Sequence, residues 1–368
     1  MIYNKLKNSP RVYVSAAMRG GSTLISNMLN AHSQIQIIEN FHFYRFLYED
    51  ENVLNAKKIE YKIREMAIRL KIRYNVNINE KKVLQNIKKN NLSYENIYDA
   101  LINEQLKLNK KLRIVGEDSA LNWRFIEKFC SMYKNAKVIH LIRDPRSIFA
   151  SWKKITYQKF DKWGCLLNCI DSMNYAKYYK KKLNKKNYLV LKFEEVLKKP
   201  YKNALKLSKF LGVNYEKNMT QPKKWNKLFK NKSASLGWSS IENKAIDDFF
   251  VDRIDSWKRE LNDDEIQIIE HFAKKQLGYF KYKSVTKKIK KSNLTIFKKK
   301  INKSKYLKKH FNQFIKTGIG TDELRDNPKD PYTWGDGKKN KKKFINTKAG
   351  KLYIKKLQKI KLDLLEKK

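Results

Sequence analysis

Short apolar runs alternate along the chain with longer stretches of helical spacing. Residues 11–15, 35–38, 112–116, 137–142 and 188–193 are compact runs of β-branched, aromatic and other apolar residues, and read as buried strands. Between them apolar positions recur every three or four residues, over 24–29, about 123–133, a segment opening near Arg146, about 165–183 and about 201–211. These stretches read as helices. No hairpin turn joins one strand to the next, so the strands are expected to run parallel with helices on both faces. The fold class predicted is therefore α/β, a parallel sheet flanked by helices. Residues 41–111 carry only helical spacing and read as a helical insertion.

Composition changes this picture little. Of the 368 residues, 41% are hydrophobic and 12% aromatic, enough for a packed core and against wholesale disorder. The formal charge of +47 is heavy, and phosphates attract such chains. Yet 70 of the 83 basic residues are Lys and only 13 are Arg, the better bidentate phosphate binder. With Asn and Ile also abundant, this reads as compositional drift and not as selection for a polyanion. Residues 281–368 hold 29 basic against 7 acidic residues and form a Lys-rich C-terminal extension. Within it 317–346 is loop-like, and 352–365 has the spacing of a terminal amphipathic helix. That helix is expected to pack on the domain; peripheral contact with an anionic membrane is the sharper alternative.

Three cysteines, Cys130, Cys165 and Cys169, cannot build a disulfide framework, and Cys165 and Cys169 read as buried thiols. No apolar window reaches the length of a transmembrane helix, and residues 1–10 lack a signal-peptide core. A cytoplasmic location is expected, with no bound metal and no specific nucleic-acid partner.

Candidate chemistry begins where the first strand ends. Arg19-Gly20-Gly21-Ser22-Thr23 joins that strand to a helix. Such a loop binds phosphate: backbone N–H groups converge at the positive end of the helix, glycine admits close approach, and Arg and hydroxyl groups add donors. Ser22 or Thr23 is expected to cap the helix. The absence of a Gly-Lys pair argues against a triphosphate loop, and the spacing is not G-x-G-x-x-G. A second constellation, Arg143-Asp144-Pro145-Arg146, ends the fourth strand, with Ser151 eight residues after Arg143. Arg143 and Ser151 suit a second phosphate, since open α/β sheets bind ligands at the carboxyl ends of their strands. The bland alternative is a helix start made by Asp144 and Pro145, with Arg146 solvated.

Together these segments resemble the sulfotransferases that use 3′-phosphoadenosine 5′-phosphosulfate (PAPS). Residues 14–31 resemble the family's 5′-phosphosulfate loop and 138–151 its 3′-phosphate motif. Phe193-Glu194-Glu195-Val196-Leu197, running on to Phe210-Leu211-Gly212, and residues 253–279 with Trp257, Leu261 and Leu277-Gly278-Tyr279, resemble its later segments. The four matches occur in family order. The resemblance implies a P-loop NTPase-like sulfotransferase fold over 1–280, with 41–111 as a substrate-side insertion and 281–368 outside the match.

The same resemblance implies transfer of a sulfuryl group from PAPS, as co-substrate, to an acceptor hydroxyl, with a glycan the acceptor expected. Arg19, Gly20, Gly21, Ser22 and Thr23 would hold the 5′-phosphosulfate, with Arg19 also catalytic. Arg143 and Ser151 would hold the 3′-phosphate, joined by Ser239 or Ser240. Glu39, just after the second strand, is the implied general base, and His42 is its competitor. His32 reads as structural, a helix-end cap, and His140 as a core residue. Three departures stand out: Gly20 replaces a usual Ser, Phe193 replaces a usual Tyr, and Glu117-Asp118-Ser119 stands where relatives often carry a Lys. Two other readings compete. One is a non-catalytic basic polyanion- or nucleic-acid-binding protein on a P-loop scaffold, which predicts indifference to Arg19→Ala. The other, a nucleotide kinase, is disfavoured by the missing Gly-Lys pair and the lack of a Mg²⁺-holding Asp motif.

Overall fold

A computed structural model describes residues 9–39, 41, 43–48, 54–74, 77–89, 91–106, 111–119, 123–153, 162–228, 248–286, 289–303, 305–318, 351 and 355. Its centre is a five-stranded sheet of β1 (Arg11–Ala16), β2 (Ile35–Glu39), β3 (Ile114–Asp118), β4 (Lys137–Ile142) and β5 (Tyr188–Lys192). The strand order is β2-β3-β1-β4-β5 and every pairing is parallel. After β1 the chain moves to one side of the sheet; from β3 it crosses β1 to reach β4. The loops that follow β1 and β4 therefore meet at a switch in strand order, where sheets of this kind bind ligands.

Side chains alternate across the sheet and build a core on each face. On one face Val12, Val14, Ile35, Ile37, Ile139 and Leu191 pack against α1 (Ser22–Asn30) and against later helices described below. On the other, Tyr13, Ile38, Val115 and Val138 meet α5 (Ile126–Met132) and α7 (Lys162–Lys182), together with the insertion. The described insertion is helical, comprising Phe43–Phe46, α2 (Ala56–Tyr74), α3 (Glu80–Lys89) and α4 (Tyr94–Glu104). Phe41, Phe43, Tyr44 and Tyr98 anchor it in edge-to-face and stacked ring contacts. A buried ion pair joins Arg11 to Asp99 at 2.8 Å and ties α4 to the start of β1.

The third strand begins and ends two residues later than the apolar run suggests. Both Arg113 and Ile114 donate their N–H to the Gln34 carbonyl, and pairing with β2 starts at Ile114. Glu117 and Asp118 thus lie inside the sheet. Asp118 accepts from Ser26 Oγ at 3.0 Å, and Glu117 accepts from Ser119 Oγ at 2.7 Å. These hydrogen bonds offset part of the cost of two carboxyl groups in a buried strand, and Glu117 Oε1 is left without a partner among the described residues.

Further helices among the described residues include α6 (Pro145–Lys153), α8 (Phe193–Lys198), α9 (Pro200–Leu211) and α10 (Asp263–Phe272). The short helices α8 and α9 supply Val196, Leu197, Ala204 and Leu207 to the face that α1 covers. Beyond α11 (Lys274–Tyr279), the helices α12 (Lys291–Asn302) and α13 (Lys305–Thr317) bury Phe297, Ile301, Leu307 and Phe314 in a third core with Phe149, Trp163, Trp257 and Ile269. The expected loop at 317–346 and the amphipathic helix at 352–365 fall almost wholly outside the described residues. Among the described residues, no helix is long and apolar enough to cross a membrane.

Candidate functional site

The loop between β1 and α1 is closed by Gly20 N–H donating to the Ala17 carbonyl at 2.8 Å. Two residues in it are left-handed, Arg19 at φ 65° and Gly21 at φ 96°. Helix α1 starts at Ser22 with Gly21 as its N-cap, and no side chain caps it. The expected cap by Ser22 or Thr23 is thus corrected. Both hydroxyl residues fall inside the first turn, because the left-handed turn at Gly21 brings the chain into helix directly. An uncapped first turn keeps its N–H groups free of a competing side-chain acceptor, which suits an anion.

The loop after β4 lies beside this one. Arg143 donates from Nη1 to the Arg19 carbonyl at 2.9 Å, and Arg19 donates from Nε to Ser151 Oγ at 3.0 Å. Arg19, Arg143 and Ser151 are therefore brought together from positions up to 132 residues apart. The Arg143 guanidinium stacks on the Phe193 ring, 4.4 Å from its centroid. Its Nε has no hydrogen-bond partner among the described residues. Burial, with the neighbouring Arg19 charge adding to it, pushes Arg143 down to about 10, while Glu194 and Asp144 act in the opposite sense. Two adjacent cations, one half-buried with an unpaired N–H among the described residues, form a site whose charge favours an anion.

Arg146 is not solvated. It is buried, forms ion pairs with Asp144 and Glu270, and lies 4.0 Å over the Trp257 ring. Asp144 also accepts from Arg146 N–H at 2.9 Å, while Pro145 opens α6. The helix start and the arginine pair thus coexist in one motif.

Glu39 ends β2 and is paired in register with Asp118 of β3. Since β3 lies between β2 and β1, Glu39 is two strands from β1, about 10 Å across the sheet at ordinary strand spacing. His42, Ser239 and Ser240 lie outside the described residues. His32 is buried after α1: Gln34 N–H donates to its Nδ1 at 3.0 Å, so Nε2 carries the proton and donates to the Asn214 carbonyl at 2.8 Å. It fastens the end of α1 to the segment after α9. His140 contacts Tyr188 Oη and Ser172 Oγ inside the core, and burial pushes it down to about 3. Cys165 and Cys169 are buried free thiols.

Three residues of the site carried no functional signal in the sequence. Phe193 registers there only as a lost hydroxyl, but its ring supports Arg143 and packs against Gly21. Glu194 accepts from Asp144 N–H and from Tyr282 Oη, each at 2.8 Å. Tyr282 lies just beyond the last family-like segment, where no motif marks it.

Comparison with known proteins agrees with this architecture. The family model described as "Sulfotransferase family" matches residues 10–217. Over 133 residues the chain is 27% identical to Sulfotransferase 2A1 of Macaca fascicularis, covering 33% of this chain and 44% of that protein. The chain therefore spans less than half the length of this curated relative. Among solved structures, the Sulfotransferase Domain from the Curacin Biosynthetic Pathway aligns with a TM-score of 0.54 at 17% identity, over 75% of this chain and 98% of that one. The Sulfotransferase Domain from the Synechococcus PCC 7002 Olefin Synthase aligns with a TM-score of 0.50 at 18% identity, over 72% and 94% of the two chains.

Proposed function

Because the chain belongs to the sulfotransferase family, we propose that it moves the sulfuryl group of PAPS to an acceptor hydroxyl. The observation that carries this reading is the convergence of Arg19, Arg143 and Ser151 at the uncapped start of α1. A donor with phosphate at both its 5′ and 3′ positions matches two neighbouring cationic subsites. Gly21, Ser22 and Thr23 hold the 5′-phosphosulfate with backbone N–H and hydroxyl donors, and Gly20, whose own N–H closes the loop onto Ala17, lets the anion approach the backbone. Arg143 and Ser151 hold the 3′-phosphate, and Ser240 or Ser239 is a further candidate there.

In the transfer, the acceptor oxygen attacks sulfur and the bond from sulfur to the bridging phosphate oxygen breaks. The electron pair stays on the phosphate, so 3′,5′-ADP leaves. Arg19 stabilises the charge that develops on that oxygen. Glu39 takes the acceptor proton as the new O–S bond forms. Its offset of about 10 Å from β1, estimated from strand spacing, leaves room for a sulfuryl group and an acceptor hydroxyl between carboxylate and loop.

A glycan hydroxyl is the acceptor class we propose. The test incubates purified protein with PAPS and either glycans or non-sugar alcohols, and follows 3′,5′-ADP release. Release with glycans, and its loss in Arg19→Ala, is the expected result. Release only with non-sugar alcohols overturns the acceptor class. Wild-type protein that fails to bind millimolar 3′,5′-ADP overturns the whole reading. Binding of nucleic acid that is strong, salt-sensitive and indifferent to Arg19→Ala would favour the polyanion alternative.

A further inference from the structure

The segment after α11 does not drift away from the domain. Lys281 is left-handed at φ 56°, its N–H donates to the Gly278 carbonyl at 3.1 Å, and Tyr282 N–H donates to the Leu277 carbonyl at 2.8 Å. This paired pattern is a Schellman motif, and it turns the chain sharply at the helix end. The turn delivers Tyr282 to the buried carboxyl of Glu194. Lys192 holds it there, donating from Nζ to the Phe280 carbonyl at 2.9 Å and lying 4.1 Å over the Tyr282 ring. Further on, Arg146 donates to the Lys283 carbonyl, and Glu270 accepts the N–H groups of Val285 and Thr286. Residues 280–286 thus form a strap fastened at several points behind the Arg143 turn.

Glu194 links this strap to the candidate phosphate site. One carboxyl oxygen accepts from Tyr282 Oη and the other from the N–H of Asp144, which directly follows Arg143. The preceding residue, Phe193, supports the Arg143 guanidinium. Two consecutive residues therefore hold the Arg143 side chain and the adjoining backbone, and Tyr282 completes the hydrogen bonding of one of them. We infer that Tyr282 is a positioning residue for recognition of the 3′-phosphate, acting through Glu194 on the Arg143–Asp144 turn; this rests on the sulfotransferase reading above. Burial, reinforced by the neighbouring Glu194, raises the Tyr282 hydroxyl well above its ordinary range, so it remains a donor at working pH.

The experiment compares binding of 3′,5′-ADP and 5′-AMP to the full chain by calorimetry. The two nucleotides differ only in the 3′-phosphate. Tyr282→Phe is expected to weaken 3′,5′-ADP about tenfold, the scale of one hydrogen bond to a charged group, and to leave 5′-AMP within about twofold. Tyr279→Phe, a partly exposed ring three residues earlier, is expected to change neither. Equal weakening of both nucleotides by Tyr282→Phe would mean a merely structural anchor and overturns the inference, as does no change in either. If Tyr282→Phe does not fold, judged by circular dichroism, Glu194→Gln breaks the same link and must show the same selective loss. Wild-type protein that binds neither nucleotide overturns the sulfotransferase reading and this inference together. Normal wild-type binding with an unselective variant overturns this inference alone.

Discussion

The Phe193 ring fills the space that a side chain on Gly21 would need. A β-carbon built at Gly21 falls 2.2 Å from Phe193 Cδ2, and the Gly21 backbone is left-handed at φ 96°. Gly21→Ala is expected to destabilise the fold by about 2–4 kcal/mol, combining left-handed strain with overpacking. It should also weaken 3′,5′-ADP binding, because the same ring supports Arg143. Thermal unfolding of Gly21→Ala, Phe193→Leu and the double variant separates the causes. Partial rescue in the double variant is expected, since the clash is relieved and the strain remains. Strict additivity would refute the contact's role.

Glu117 predicts a pH dependence of stability. Burial pushes its carboxyl up to about 8, against the opposing hydrogen bonds from Ser119 and the Phe43 backbone. In the unfolded chain the group titrates near about 4.3. Between these values the folded protein holds the extra proton, so this contribution to stability falls as pH rises, by up to about 1.4 kcal/mol per unit. Below the window, with the carboxyl protonated in both states, the contribution is fully present. Denaturant unfolding of wild type and Glu117→Gln from about pH 5 to 8 should show a steeper decline in wild type. Parallel curves would mean that the Glu117 carboxyl is already ionised in the fold.

Glu39→Gln is expected to spare 3′,5′-ADP binding and to lower turnover by about 10²- to 10⁴-fold, the usual contribution of a positioned base. His42→Ala serves as the comparison. If His42→Ala abolishes turnover while Glu39→Gln retains it, the assignment of the base to Glu39 fails.

Arg146→Ala tests the division of labour within the second motif. It would leave Asp144 and Glu270 buried without their cation. A loss of about 3–5 kcal/mol in unfolding free energy is expected, the scale for breaking one partner of a buried pair. Arg143→Ala should instead leave stability nearly unchanged and abolish detectable 3′,5′-ADP binding. Chemical denaturation read beside nucleotide titration distinguishes the two arginines, and equal effects on both readouts would contradict the separation.

How much was legible in advance differs from element to element. The five strands stood out as short apolar runs, although the third was displaced by two residues because Glu117 and Asp118 do not look like strand residues. Arg19 and Arg143 were legible because each sits in a short local motif at a strand end. Glu39 and His42 were candidates by position only. The role of Phe193 is not legible in the sequence, because it lies in what touches the ring: Gly21 on one side and Arg143 on the other.

The amino-acid sequence alone determined the α/β class, the parallel sense of the sheet and the two arginine-bearing loops. Periodicity and strand-end motifs are local properties, written in neighbouring residues. Only the tertiary structure decided that β1 lies between β3 and β4, which sets the two arginines side by side. It alone decided that Arg146 is buried in ion pairs, that Glu117 is fully buried in the sheet, and that Tyr282 reaches Glu194 across 88 residues. Those facts depend on which distant surfaces the chain brings together. A carboxyl or hydroxyl group acquires its energetic role from the partner it meets and the water it loses, and neither is recorded in its neighbours along the chain.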